Sequence, residues 1–168
     1  MTSEFSQLSL TDSQIAHFRA FVYAIYVRNH RAMYVGQTRS RTGALGRLSF
    51  HLSEGDGSTI KTRIARLFHF DEVILRGIRF AAFPLTSLKV FSSDAQDYRE
   101  AVEALIQQRL LEKLTDGQYP VPVVSRIRHN DYMVDASVIA EADRIFPELW
   151  QWFLSIEDNT TDLLPIAS

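Results

Sequence analysis

Apolar residues recur along this chain in two rhythms. From Phe21 to Val27, and again from Ala32 to Gln37, nearly every position is apolar, and β-branched and aromatic side chains dominate. Two short runs of this kind, parted by the polar Arg28-Asn29-His30-Arg31, predict a β-hairpin. Both faces of the runs are apolar, so the sheet is expected to be covered on both sides. Elsewhere the spacing is helical. Leu45, Leu48 and Leu52 recur at three- and four-residue steps. That helix sets Arg47 and His51 one above the other on one face. Ser58 or Thr59 is placed to cap a second helix through about His69, with Ile60, Ile64, Leu67 and Phe68 inward and Lys61, Arg63 and Arg66 outward. A third helix is expected from Asp94 to about Leu114, with Tyr98, Val102, Leu105, Ile106 and Leu110 as its apolar stripe.

The remaining segments complete the outline. Thr11-Asp12-Ser13-Gln14 has the form of a capping box, predicting a helix over about 12–20 with Ile15 and Phe18 facing the body. Between 71 and 92, Val73-Ile74-Leu75, Ile78–Phe80 and Leu88–Phe91 all read as strands. Ser87–Ser92 is the best candidate for the third sheet strand, because it directly precedes a helix. Val121–Arg128 reads as a short edge strand or an extended arm, since Pro122 does not suit a central strand. Ser137 is placed to cap a helix to Ile145 and Pro147 to open another to about Phe153, sealed by Trp150, Trp152 and Phe153. The expected fold is therefore α/β in the α+β sense: a small, mainly antiparallel three-stranded sheet flanked by helices. It forms a single domain over 1–168, with a helical carboxyl-terminal extension at 119–156 and a loose tail at 157–168.

Composition narrows the setting. A chain of 168 residues with 46 % hydrophobic content can bury one real core. The absence of cysteine excludes disulfides and thiolate metal sites and fits a reducing compartment. Met1-Thr2-Ser3-Glu4 does not open a signal peptide, and no apolar stretch has the length of a membrane span, so the expected location is cytoplasmic, away from membranes. The net charge of −2 does not advertise a nucleic-acid partner, but its distribution does more. Residues 28–79 carry ten Lys/Arg against four Asp/Glu, whereas 94–168 carry six against fourteen. A positive face on an otherwise acidic chain is compatible with docking a phosphate backbone.

The stretch from Tyr23 to His51 resembles the catalytic half of a GIY-YIG nuclease. Phe21-Val22-Tyr23 corresponds to the family's first tripeptide and Tyr34-Val35-Gly36 to the second, continued by Gln37-Thr38. Arg47 and His51 correspond to the helix residues that follow, and Glu103 to the acidic residue of a later helix. The resemblance covers about 21–118. Phe21 stands where the family has Gly, and no Asn follows the acidic helix; Gln118 is the nearest amide that could substitute. The resemblance implies a metal-dependent endonuclease acting on DNA, with a tyrosine near the attacking water, Arg47 on the scissile phosphate and Glu103 on one divalent ion, Mg²⁺ or Mn²⁺. Gln37, Arg39, Arg41, Lys61 and Arg63 are the candidate DNA contacts. Two alternatives share the fold: a nucleic-acid-binding or protein-interaction domain without cleavage, and a nuclease effector or toxin met by a protein inhibitor. Nothing in the sequence indicates a homo-oligomer.

The residue types suit the implied chemistry. Hydrolysis of a phosphodiester needs a water to lose its proton and the charge on phosphorus to be offset. A tyrosine is a poor base unless a cation or a histidine accepting its proton assists it. An arginine fork holds phosphate oxygens, and one carboxylate with water and substrate oxygens suffices for a Mg²⁺-like ion. Ala24-Ile25-Tyr26 also resembles the first tripeptide, and strand geometry decides between the two. A hairpin closed by two or four residues at 28–31 pairs Ile25 with Tyr34. Tyr23 then shares the face of Tyr34, and Tyr26 points the other way, opposite Met33. The expected pair is Tyr23 and Tyr34, with Tyr26 in the core.

Overall fold

The structure is a computed structural model and describes residues 12–53, 59–92, 96–117 and 119–158. The hairpin forms as expected. Strand β1 spans Phe21–Val27 and β2 Ala32–Thr38, joined by a tight 3-10 turn over Arg28–His30 with Arg31 left-handed at φ 44°. The loop has four residues and the strands pair Ile25 with Tyr34 and Tyr26 with Met33. The tip is braced from outside: the Asn29 side-chain amide donates to the Ile74 carbonyl at 2.8 Å, and its oxygen accepts from the Arg76 amide at 3.0 Å.

The third strand is β3, Ile78–Pro84, antiparallel to the free side of β1, so the order is β2-β1-β3. This corrects the expectation that Ser87–Ser92 would enter the sheet. Gly77, at φ +63°, turns the chain into β3; a Cβ there would lie 2.8 Å from Arg28 Cβ. Pro84 ends the strand, where its missing N–H costs no ladder bond. With both sides of β1 then taken, Lys89–Ser92 instead forms a single helical turn, α3, that buries Phe91.

Helices cover both faces. Helix α1, Gly43–Leu52, and α2, Thr59–Phe68, lie over the face carrying Tyr23, Ile25, Val27, Ala32 and Tyr34, with Leu48, Ile60 and Ile64 buried beneath them. Leu67, expected inward, is 48 % exposed. Helix α4, Asp97–Asp116, and α5, Ala136–Asp158, cover Val22, Ala24, Tyr26, Met33 and Val35 on the opposite face. The expected start of α4 at Asp94 lies outside the described residues.

Three further expectations change. The capping box yields only a 3-10 turn, Ser13–Ala16, in which Asp12 accepts from the Gln14 amide. His17 then leaves in an extended conformation, and Phe18 is exposed rather than inward. Pro147 does not start a second helix; it lies inside the continuous α5. It removes one backbone bond, a cost of about 3 kcal/mol in an isolated helix interior. Val138, Ala142, Ile145, Leu149 and Phe153 form one fully buried stripe straight through it, and that packing carries the helix past the defect. Glu157, placed by the sequence in a loose tail, stands on the last turn of α5, where it accepts from the Tyr26 hydroxyl and pairs with Arg31 at 2.8 Å. The segment after α4 is an extended arm along the outer edge of β2. The Met33 amide donates to the Pro122 carbonyl at 2.9 Å, and the Val124 amide to the Met33 carbonyl at 2.8 Å.

Tyr26→Phe removes one hydrogen bond on the face away from the candidate site and leaves Glu157 still paired with Arg31. The expected cost is about 1–2 kcal/mol in a urea unfolding curve. A loss beyond about 3 kcal/mol would mean that Glu157 depends on the phenol for more than one bond.

Candidate active site

Two tyrosines and one glycine define the centre. Tyr23 on β1 pairs directly with Gly36 on β2, and Tyr34 projects two residues earlier on the same face. The two rings stack with centroids 6.2 Å apart. A Cβ at Gly36 would lie 2.4 Å from the Tyr23 hydroxyl and 2.9 Å from Tyr34 Cε1. The missing side chain is what lets both phenols close over the strand.

Helix α1 brings the next pair. His51 is fully buried, its Nε2 is 2.9 Å from the Tyr23 hydroxyl, and its ring centroid is 4.8 Å from that of Tyr34. Arg47, one turn earlier, lies over Phe50 at 5.0 Å, and its charge and hydrogen bonding reach Tyr23. Its buried Nε has no hydrogen-bond partner among the described residues, an unmet donor beside the two phenols. Arg63 of α2, expected to face outward, instead lies over Tyr34 at 5.4 Å and donates to the Val124 carbonyl at 3.1 Å.

Glu103 arrives from the far layer. Helix α4 packs on the opposite face, but Gln107 ties it to the β2 edge. The fully buried Gln107 amide donates to the Val35 carbonyl at 3.1 Å and to Glu103 Oε1 at 2.7 Å. The Val35 amide, pointing the same way, donates to Ser125 Oγ. The carboxylate thus stands at the β2 edge, close enough for its charge to raise the phenols of Tyr34 and Tyr23. Gln107 is not among the residues the sequence pattern marks out; its place four residues after Glu103 is the signal that points to it.

The other sequence candidates lie outside this cluster. Gln37 projects to the opposite face, where its Oε1 accepts from Arg99 Nε at 3.2 Å. Arg39 stacks on Phe18 at 4.8 Å, Arg41 is exposed, and Lys61 donates to the Ser53 carbonyl at 3.1 Å. Gln118 lies outside the described residues.

Burial sets the electrostatics. It raises the Tyr23 phenol well above its ordinary value, as does the neighbouring Tyr34, while Arg47 works against the rise. Burial also lowers His51 to about 4, helped by the charges of Arg47 and Arg63. A His51 held neutral and protonated on Nδ1 can therefore accept a hydrogen bond from the Tyr23 hydroxyl at Nε2. Burial first, then the Glu100 charge, pushes the Glu103 carboxyl up to about 7, against the hydrogen bond from Gln107 and the charges of Arg128 and Arg63. A divalent ion would fit this donor set only if water and substrate oxygens supplied most of its ligands. No cluster of three potential metal-binding side chains exists among the described residues, while Glu103 offers a carboxylate with one oxygen anchored.

Gly36→Ala should overpack the two phenols and cost about 1–3 kcal/mol in a denaturant titration; an unperturbed midpoint would mean the rings do not rest on the strand. The pH dependence separates the buried ionisable groups. Glu103 keeps its proton to a higher pH folded than unfolded. Its contribution to stability is therefore present below the ordinary 4.5 and lost as pH rises through about 7. His51 runs the other way: its contribution is present above 6.5 and lost as pH falls toward 4. Without divalent ions, Glu103→Gln should therefore raise the urea midpoint at pH 8 and leave it nearly unchanged at pH 4.5. Equal effects at both pH values would contradict a strained carboxylate.

No protein-family model matches the chain, and neither a curated protein nor a solved structure matches it.

Proposed function

We propose that the protein is a metal-dependent phosphodiesterase of the GIY-YIG type that cleaves DNA internally. The observation that carries this reading is the clustering of Tyr23, Tyr34, Arg47 and His51, from two strands and α1, with Glu103 of α4 at the β2 edge within electrostatic reach of both phenols. An ordinary core has no need of five polar groups there, and each burial costs free energy that a site must recover through its chemistry.

The Tyr23 oxygen takes the proton of the attacking water as its own proton moves toward His51 Nε2, a transfer that needs the negative charge of the bound phosphate to offset Arg47 and Arg63 and restore the imidazole's basicity. Arg47 turns its unmet donor toward the non-bridging oxygens, where negative charge grows. Tyr34, pinned under Arg63, orients the same phosphate with its hydroxyl. Glu103, held by Gln107, would hold a divalent ion in its ionised form, and the ion would supply charge stabilisation when bound. Because the ion competes with a proton for Glu103, its affinity should fall below about pH 7.

A second reading, a binding domain of the same fold without cleavage, draws on the burial of the pair that would act on water: Tyr23 is 1 % exposed and His51 is fully buried. Incubation of the protein with supercoiled plasmid in Mg²⁺ or Mn²⁺ separates the two. The expected result is nicking that EDTA and Glu103→Ala abolish. Tyr23→Phe should lose about 10²–10⁴ in turnover, the usual worth of a positioned base, whereas Tyr26→Phe should cleave like the wild type. Arg47→Lys keeps the charge but loses the fork, so turnover should fall by about 10²–10³ with a smaller effect on DNA binding. Undiminished cleavage by Tyr23→Phe, or by the wild type in excess EDTA, would remove the proposed roles; plasmid binding without nicking under every metal would favour the second reading.

A further inference from the structure

Beside Tyr34 the surface opens into a cleft of about 370 Å³ lined by Arg63, Arg66, Leu67, Pro122, Val123 and Val124. One wall is α2 and the other is the arm that runs along β2. The walls differ in chemistry. Arg63 spans the inner end, its guanidinium lying over Tyr34 and bonding the Val124 carbonyl. Arg66, one turn further along α2, is exposed and pairs with no acidic group among the described residues. Between and opposite these cations lie only apolar groups, including Leu67, which is 48 % exposed on a helix whose Ile60 and Ile64 are fully buried. The arm wall is held in place through the Met33 amide and carbonyl, so the cleft is formed without a ligand.

We propose that this cleft binds an unpaired nucleotide next to the phosphate at Tyr34, with its phosphate on Arg66 and its base against Leu67, Pro122 and Val123. The inference rests on the phosphodiesterase reading and adds a substrate class to it. Two cations with no acidic lining group suit an anion. A phosphate alone would leave the apolar wall in water. A base can lie flat against that wall only if it is out of a duplex, because a paired base presents its edge and not its face. The favoured substrate then carries a single-stranded segment flanking the cleaved bond.

Fluorescence anisotropy in EDTA tests this, using labelled single-stranded and duplex oligonucleotides of one sequence against the wild type, Arg66→Ala and Leu67→Ser. Both side chains are exposed, so neither variant should disturb folding. The wild type should bind the single strand more tightly than the duplex. Leu67→Ser should weaken single-strand binding about three- to tenfold and leave duplex binding unchanged. Arg66→Ala should weaken single-strand binding and reduce its salt slope by about 1. If the plasmid is cleaved but Leu67→Ser binds both oligonucleotides as the wild type does, the base-binding role fails while the phosphodiesterase reading stands. If the wild type neither binds an oligonucleotide nor nicks plasmid, both fall. Binding of poly-glutamate with the same dependence on Arg66 and Leu67, in place of the single strand, would assign the cleft to an acidic protein partner and overturn the proposal.

Discussion

The fold turns on the register of one strand pair. Ile25 facing Tyr34 puts Tyr23 directly opposite Gly36, and only there can its ring lie across the neighbouring strand without meeting a side chain. A one-residue slip would exchange the faces of the whole strand, sending Tyr23 toward α4 and α5 and exposing Tyr26 to the histidine. The four-residue tip with its left-handed Arg31 fixes that register locally. Asn29, clamped to Ile74 and Arg76, fixes it again from a distant part of the chain.

The division of labour between the two faces follows from the register. The face toward α4 and α5 is almost entirely apolar and supplies the larger core. The face toward α1 and α2 is the chemically loaded one, where phenols, an imidazole and two guanidinium groups share a buried space. Glu103 crosses between them only at the β2 edge, where α4 passes and Gln107 can reach the Val35 carbonyl. That same edge is otherwise closed by the arm at Met33 and by Ser125 at Val35, leaving little unpaired backbone to recruit another chain.

The hairpin, the first two long helices and the meeting of Tyr23 with Tyr34 were legible because strand alternation and helical spacing are local rules that the buried context does not override. The third strand was not. Three apolar runs compete between 71 and 92, and what chooses Ile78–Pro84 is the left-handed turn at Gly77 against Arg28, a contact between distant residues. Pro147 misled for a related reason: its local penalty is real, but a stripe of five buried side chains on α5 outweighs it. The helical position of Arg63 points to solvent, yet Tyr34 and the arm draw it inward. The one signal for Gln107 is its place four residues after Glu103, since a buried amide looks like any surface glutamine until its partners are known.

The bond between Tyr26 and Glu157 joins residues 131 positions apart. With Arg31 on the same carboxylate, it fastens the last turn of α5 to the hairpin tip. A chain emerging from the ribosome can form its hairpin early, from neighbours in sequence. It cannot finish covering the hairpin's rear face until the residues of α5 have emerged, because α4 lies against β1 and β2 but α5 completes the layer. Until then α4 alone shields Val22, Ala24, Tyr26 and Met33. Helix α5 is thus the element that completes this layer, and synthesis of the domain carries a window in which its apolar rear face is only partly covered.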